Sequence, residues 1–310
     1  MARKIIVGYD PEHGGSDAIR LGRLLAEVLA AQPVVVSALP WPSYLASRED
    51  LQKEVDVEMN QRFSVIREEL RDLGVETRAV TSRSAARTLQ ELAEQELASL
   101  IVLGSSHLGP IGRTLAGGVG ESLLHGAPCA VSVAPRGYAD RDQDRLLRIA
   151  VAFDGSSEAW TALETGIGFA ERCHGELTVI SVADYPHYGH ATAWPLLTAG
   201  EFHDSEREET ERVLELALRR TPEGVVCAGR LLTGRAGSVL SEVSGEFDLL
   251  VAASRAYGPI RRTLLGSTTR KLIASSGCPV LVLPRAMGVD PLGLRVAANP
   301  SAGAADRQAA

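Results

Sequence analysis

The feature that most constrains this chain is that it repeats itself. Gly109-Pro-Ile-Gly-Arg-Thr-Leu115 returns 149 residues later as Gly258-Pro-Ile-Arg-Arg-Thr-Leu264, and the match continues without a gap. Gly117 falls on Gly266, Cys129 on Cys278, Val131 on Val280, Pro135 on Pro284 and Arg136 on Arg285. The beginnings match as well, Ile6-Val-Gly-Tyr-Asp10 against Ala150-Val-Ala-Phe-Asp154. Solenoid repeats run about 20–50 residues, so this period marks a duplicated domain, and each copy is long enough to bury its own core. Whatever one copy binds, the other had the chance to bind. Differences between the copies then report which site kept its chemistry.

Composition narrows the function classes. A chain of 310 residues with 45% hydrophobic and 23% charged residues fits two globular domains. A net charge of −7 speaks against neutralising a nucleic-acid backbone. No apolar run approaches the roughly 18 residues a membrane helix requires. Met1-Ala-Arg-Lys-Ile5 leads straight into a strand pattern without the features of a signal peptide, so a cytoplasmic protein is expected. Cys129, Cys173, Cys227 and Cys278 include no CxxC pair. Reduced structural thiols are expected, with no metal site and no catalytic cysteine.

Each half alternates short β-branched runs with helical patterns. The strands are expected at 4–9, 34–38, 76–80, 100–104 and 130–133, then at 148–153, 177–182, 225–232, 249–253 and 280–283. Runs such as Leu100-Ile-Val-Leu103 and Leu249-Leu-Val-Ala252 are apolar throughout, as strands covered on both faces are. Ile19, Leu21, Leu24, Leu25, Val28 and Leu29 carry a helical spacing. The pattern predicts two tandem doubly wound α/β domains, 1–136 and 147–285, joined by a polar linker at 137–146. Two insertions follow the second strand of each half, at 40–44 and 184–204; the latter holds Tyr185, His187, Tyr188, His190, Trp194 and His203. The second insertion reads as a solvated loop, its histidines fitting no ligand spacing. The tail, 286–310, reads as disordered.

In an open α/β sheet, ligands sit outside the carboxyl ends of the strands where strand order reverses. The first strand of each half ends in an acid, Asp10 or Asp154. The fourth ends in a loop leading to a helix: Gly104 to Gly109, then Gly117 and Gly118; or Ala253 to Gly258, then Gly266, Ser267, Thr268 and Thr269. Glycines let backbone N–H groups approach a phosphate, and a helix start supplies unpaired donors and partial positive charge. Serine and threonine there also serve as ordinary helix caps, and the same groups would do both jobs.

This order of strand–Asp, strand–Gly-rich loop, helix, Cys-Pro segment and Pro-Arg finish resembles the universal stress protein family in its tandem form. The second half carries it best, in Leu264-Leu-Gly-Ser-Thr-Thr-Arg-Lys-Leu-Ile273 and Cys278-Pro-Val-Leu-Val-Leu-Pro-Arg285. The resemblance implies five parallel strands per half in the order 3-2-1-4-5. It also implies pairing of the halves through their last strands, 130–133 and 280–283, as an intrachain pseudo-dimer. Many members bind ATP, with or without Mg²⁺, and act as stress-response regulators, not as dedicated enzymes. The family's nucleoside-pocket acid matches Asp154 and Asp10. Its adenine contact matches Val182 and Ala38. Its ribose and phosphate loop matches Gly258, Gly266, Ser267 and Thr268 in the second half and Gly104, Gly109, Gly117 and Gly118 in the first. The partners implied are an adenine nucleotide and an unidentified regulatory protein, with further homodimerisation left open.

Both copies depart from the family's Gly-x2-Gly-x9-Gly-Ser/Thr loop. The first reads Gly104, His107, Gly117, Gly118; the second reads Ala253, Ala256, Gly266, Ser267. A non-glycine residue where positive φ is needed costs about 1–2 kcal/mol, a weakening and not an abolition. The second half, with its closing Gly-Ser intact, is the better candidate. Two alternatives stand beside this reading. One is a regulatory scaffold of the same family that binds no nucleotide. The other is an ATP pyrophosphatase-type enzyme, to whose loop His13-Gly-Gly-Ser-Asp17 has a partial likeness. No Ser-His-Asp set, carboxylate pair or Walker-type lysine supports turnover.

Overall fold

A computed structural model describes residues 3–40, 48–105, 119–124, 126–183, 196–254, 266–284 and 291–294. The first half runs β1 (Lys4–Gly8), α1 (Gly15–Leu29), β2 (Gln32–Pro40), α2 (Arg48–Glu69), β3 (Glu76–Ser82), α3 (Ala85–Gln95), β4 (Leu100–Gly104), α4 (Val119–Leu124) and β5 (Ala130–Ala134). The second half repeats it: β6 (Arg148–Ala152), α5 (Ser157–Cys173), β7 (Glu176–Ala183), α6 (Leu196–Arg220), β8 (Cys227–Thr233), α7 (Ala236–Val243), β9 (Leu249–Ala253), α8 (Ser267–Ser275) and β10 (Val280–Leu283).

All ten strands form one sheet, in the order β3-β2-β1-β4-β5-β10-β9-β6-β7-β8. Each half therefore has the expected 3-2-1-4-5 order, and the two meet at β5 and β10. That junction is antiparallel, with Val131 facing Val282, Ser132 facing Leu281 and Val133 facing Val280. Every other pairing is parallel. The central strands are buried on both faces, as their unbroken apolar runs require. One apolar cluster lies on the α1/α5 face of the sheet and a second on the opposite face, under α3, α7 and α8. The sheet order reverses twice, between β1 and β4 and between β6 and β9, so two crevices open at strand carboxyl ends.

Residues 196–204, read as part of a loop, form the opening turns of α6. The polar linker is anchored to the fold: Tyr138 is 1% exposed, and the Asp17 carboxylate of α1 accepts hydrogen bonds from the Gly137 and Ala139 amides. Within the tail, residues 291–294 are packed against the fold, with Leu292 and Leu294 fully buried. The described remainder of the 184–204 insertion begins at 196; Tyr185, His187, Tyr188, His190 and Trp194 lie outside the described residues.

Candidate functional site

At the β6/β9 crevice the structure has a cavity of about 290 Å³. Its floor is apolar, built from Ala152 of β6, Ile180 and Val182 of β7, and Ala252 and Ala253 of β9. Ile180 and Val182 are two apart, so the pleat puts both on one face. Ala236 and Leu240 wall it from α7; they are four apart and share a helix face. Phe153 and Asp154, just past β6, form one rim. Gly266, Ser267, Thr268 and Thr269, the entry to α8, form the other.

The polar rims have distinct local causes. Asp154 is exposed, and its Oδ1 accepts hydrogen bonds from the Ser156 amide at 2.9 Å and the Ser156 hydroxyl at 2.5 Å. That turn orients the carboxylate, and Ser156 in turn accepts from the Ala159 amide as the N-cap of α5. Gly155, in the left-handed region at φ +76°, lies against Val213 of α6, so neither the backbone nor the space suits a side chain there.

On the opposite rim, Gly266 is the N-cap of α8 and has no side chain with which to cap it. Its φ of −61° would suit any residue, so backbone geometry does not demand glycine there. Among the described residues nothing lies within 4 Å of where a Cβ would stand, so this rim is open space. The first N–H groups of a helix lack intrahelical acceptors and carry partial positive charge, which suits an anion arriving over Gly266.

The β1/β4 crevice of the first half is built differently. Asp10 Oδ1 accepts from the amides of Glu12 and His13, at 3.0 and 3.2 Å, and Oδ2 lies 3.3 Å from His13 Nδ1. The loop then runs on to Gly14, the N-cap of α1 at φ +74°. Its backbone crosses to the end of β4, where the Gly14 carbonyl lies so close to Gly104 that any Cβ at Gly104 would collide with it. Gly14 in its turn lies 3.0 Å, measured from an ideal Cβ, from the Ser105 carbonyl. From first acid to helix start this loop is two residues longer than its counterpart, Gly15 following Asp10 where Ser157 follows Asp154. The extra length brings Gly14 against the end of β4.

Of the residues singled out from sequence, Asp154, Val182, Gly266, Ser267 and Thr268 line this cavity together. Asp10, Ala38 and Gly104 stand at or near the ends of β1, β2 and β4, where the Gly14 backbone packs directly against Gly104. Gly109, Gly117, Gly118 and Gly258 lie outside the described residues. Sequence reasoning missed Ala152, Ile180, Ala236 and Leu240. The available signal was position: Ile180 precedes Val182 by one pleat, and Ala236 opens a helix at a strand's carboxyl end.

None of the four cysteines lines this cavity. Cys129 and Cys278 are buried at matching places before β5 and β10, and burial pushes their thiols up to about 12 and about 11. Neither supplies thiolate at neutral pH. Among the described residues no cluster of three or more His, Cys, Asp or Glu could hold a metal ion. Among the same residues, no helix is long and apolar enough to cross a membrane.

Comparison with known proteins agrees with this architecture. A family model described as the universal stress protein family matches residues 1–135 and 146–284. A universal stress protein of Mycobacterium tuberculosis is 26% identical over 294 residues, covering 90% of this chain and 99% of the relative. One from Mycolicibacterium smegmatis is 29% identical over 303 residues, covering 90% and 96%. Among solved structures, a universal stress protein from Archaeoglobus fulgidus superposes with a TM-score of 0.67 at 18% identity, covering 92% of this chain and 99% of that one. A putative universal stress protein from Pseudomonas aeruginosa gives 0.64 at 17% identity, covering 94% and 95%.

Proposed function

The chain belongs to the universal stress protein family, and from that premise we propose that its second domain binds an adenine nucleotide, as a non-catalytic regulatory signal. The single observation that carries this is the cavity in which Asp154, Val182, Gly266, Ser267 and Thr268 converge from three separate segments. At about 290 Å³ it sits at the lower end of small-molecule sites, which suits enclosure of a nucleoside. The base would lie on the apolar floor of Ile180 and Val182. Asp154 would meet the nucleoside's polar edge. The phosphates would leave over Gly266 toward the α8 amides and the hydroxyls of Ser267 and Thr268. The ligand is ATP, with Mg²⁺ following the phosphates where present. An interaction with a regulatory protein would then read the occupied state.

The first domain supports the second family reading, a fold kept as a structural partner without a nucleotide. The observation favouring it is the Gly14 backbone against Gly104.

Substitution of the two acids separates the sites. Asp154→Ala is expected to weaken ATP binding by roughly 10- to 100-fold in calorimetry, the loss of one charge-assisted hydrogen bond. Asp10→Ala is expected to leave it within about twofold of the parent. Asp154→Asn keeps an acceptor for the Ser156 turn, so it isolates the loss of charge from the loss of loop geometry. Equal losses at Asp10 and Asp154 would contradict the assignment of the ligand to the second domain.

A further inference from the structure

We propose that Pro291-Leu-Gly-Leu294 is an interdomain latch, and that the groove it occupies between α1 of the first half and α5 of the second is a peptide-binding surface whose occupant is this segment of the chain itself. The last strand ends at Leu283, so these residues are not needed to complete the sheet. They nevertheless dock as tightly as core: Leu292 is 0% exposed and Leu294 1%. Both belong to the apolar cluster that includes Leu25 and Leu29 of α1 and Ile167 and Phe169 of α5.

The groove has a built floor. Gly168 faces Leu294, and a Cβ on it would stand 2.6 Å from the Leu294 Cβ, so α5 is notched where the leucine enters. Gly293 has φ +56°, a left-handed backbone that side chains rarely adopt, and lies against the Arg3 guanidinium. The notch at Gly168 and the backbone turn at Gly293 thus both favour glycine.

The polar contacts come from both halves. Arg172 of α5 donates from Nε to the Leu294 carbonyl at 2.9 Å and from Nη2 to the Gly293 carbonyl at 2.9 Å. Its Nη1 reaches across to the Val28 carbonyl of α1 at 3.0 Å. Arg3, from the first half, donates to the Leu29 carbonyl at 2.9 Å and to the same Gly293 carbonyl at 3.4 Å. The last turn of α1 contains no basic residue of its own. Its terminal carbonyls and negative helix end are satisfied by one arginine from each half, and both arginines also hold the segment. Removing the segment takes acceptors from both arginines that cap α1 and bares the notch at Gly168 of α5.

The test compares the full chain with Leu292→Asp/Leu294→Asp, read by hydrogen exchange and thermal unfolding. We expect at least tenfold faster exchange in the last turn of α1 and around Gly168–Arg172 together, unchanged protection in the β-strands, and a Tm lower by about 5–10 °C. Gly168→Leu, which fills the notch from the α5 side and improves helix propensity, should release the segment in the same way. A synthetic peptide of residues 287–298, added at millimolar concentration to the aspartate variant, should restore protection in both helices. Exchange that rises in only one helix, or in neither, overturns the latch. Failure of the peptide to restore protection overturns the groove as a peptide-binding surface.

Discussion

Val182→Trp abolishes measurable nucleotide binding and leaves the fold intact: this is the expected result with the largest effect on function. Val182 is half-buried near the end of β7 and points into the cavity with Ile180. The space is about 290 Å³, so an indole there competes directly with a ligand base. Strand geometry tolerates tryptophan, and the side chain enters open space instead of packed core. The overpacking cost of about 1–3 kcal/mol seen in filled interiors is therefore largely avoided. We expect affinity to fall by at least about 100-fold, about 2.7 kcal/mol, with Tm within a few degrees of the parent. Calorimetry and a melting curve on one preparation check both halves of the statement. Unchanged affinity in a folded variant would remove the base from the apolar floor.

The largest expected effect on stability lies at the junction of the halves. Val131 is fully buried, pairs with Ile101 in β4 on one side and with Val282 in β10 on the other. Val131→Asp places a carboxylate at the middle of a ten-stranded sheet, inside an apolar cluster. An unpaired buried charge costs several kcal/mol, against a total stability of about 5–15 kcal/mol for a typical domain. We expect insoluble protein or the loss of a cooperative melt. Val226→Asp, at a position 67% exposed beside β8, should melt within about 2 °C of the parent. A well-folded Val131→Asp variant would mean that the halves do not join through β5 and β10.

Much of this architecture was legible in the sequence, for physical reasons that differ by element. The strands at 100–104, 249–253 and 280–283 were found to the residue, because a strand buried on both faces is an apolar run with sharp ends. The edge strand β8 was less sharp: Val225 was expected inside it, but its amide closes a turn onto the Pro222 carbonyl and pairing begins at Cys227. The opening of α6 was missed because Gly200, Phe202, His203 and Asp204 show no apolar period. The tail was missed because a Pro-Leu-Gly-Leu stretch is held by Arg3, Arg172 and Gly168, which lie far away in the chain.

The candidate site divides in the same way. Asp154, Val182 and the Gly266–Thr268 turn could be named because strand ends and helix starts have local signatures. Ile180, Ala236 and Leu240 could not, because a cavity floor has the same hydrophobic periodicity as the core beneath it. The approach of the first half's loop to β4 was invisible for a third reason. Gly14 and Gly104 are ninety residues apart in sequence, and only the fold shows that they meet.

Native mass spectrometry of the full chain with excess ATP and Mg²⁺ tests the central claim most directly. One nucleotide per chain is the expected result, with that single mass shift lost in Asp154→Ala and retained in Asp10→Ala. Two nucleotides per chain, or none, would contradict an account in which the second crevice is an open site and the first has its own loop packed against the end of β4.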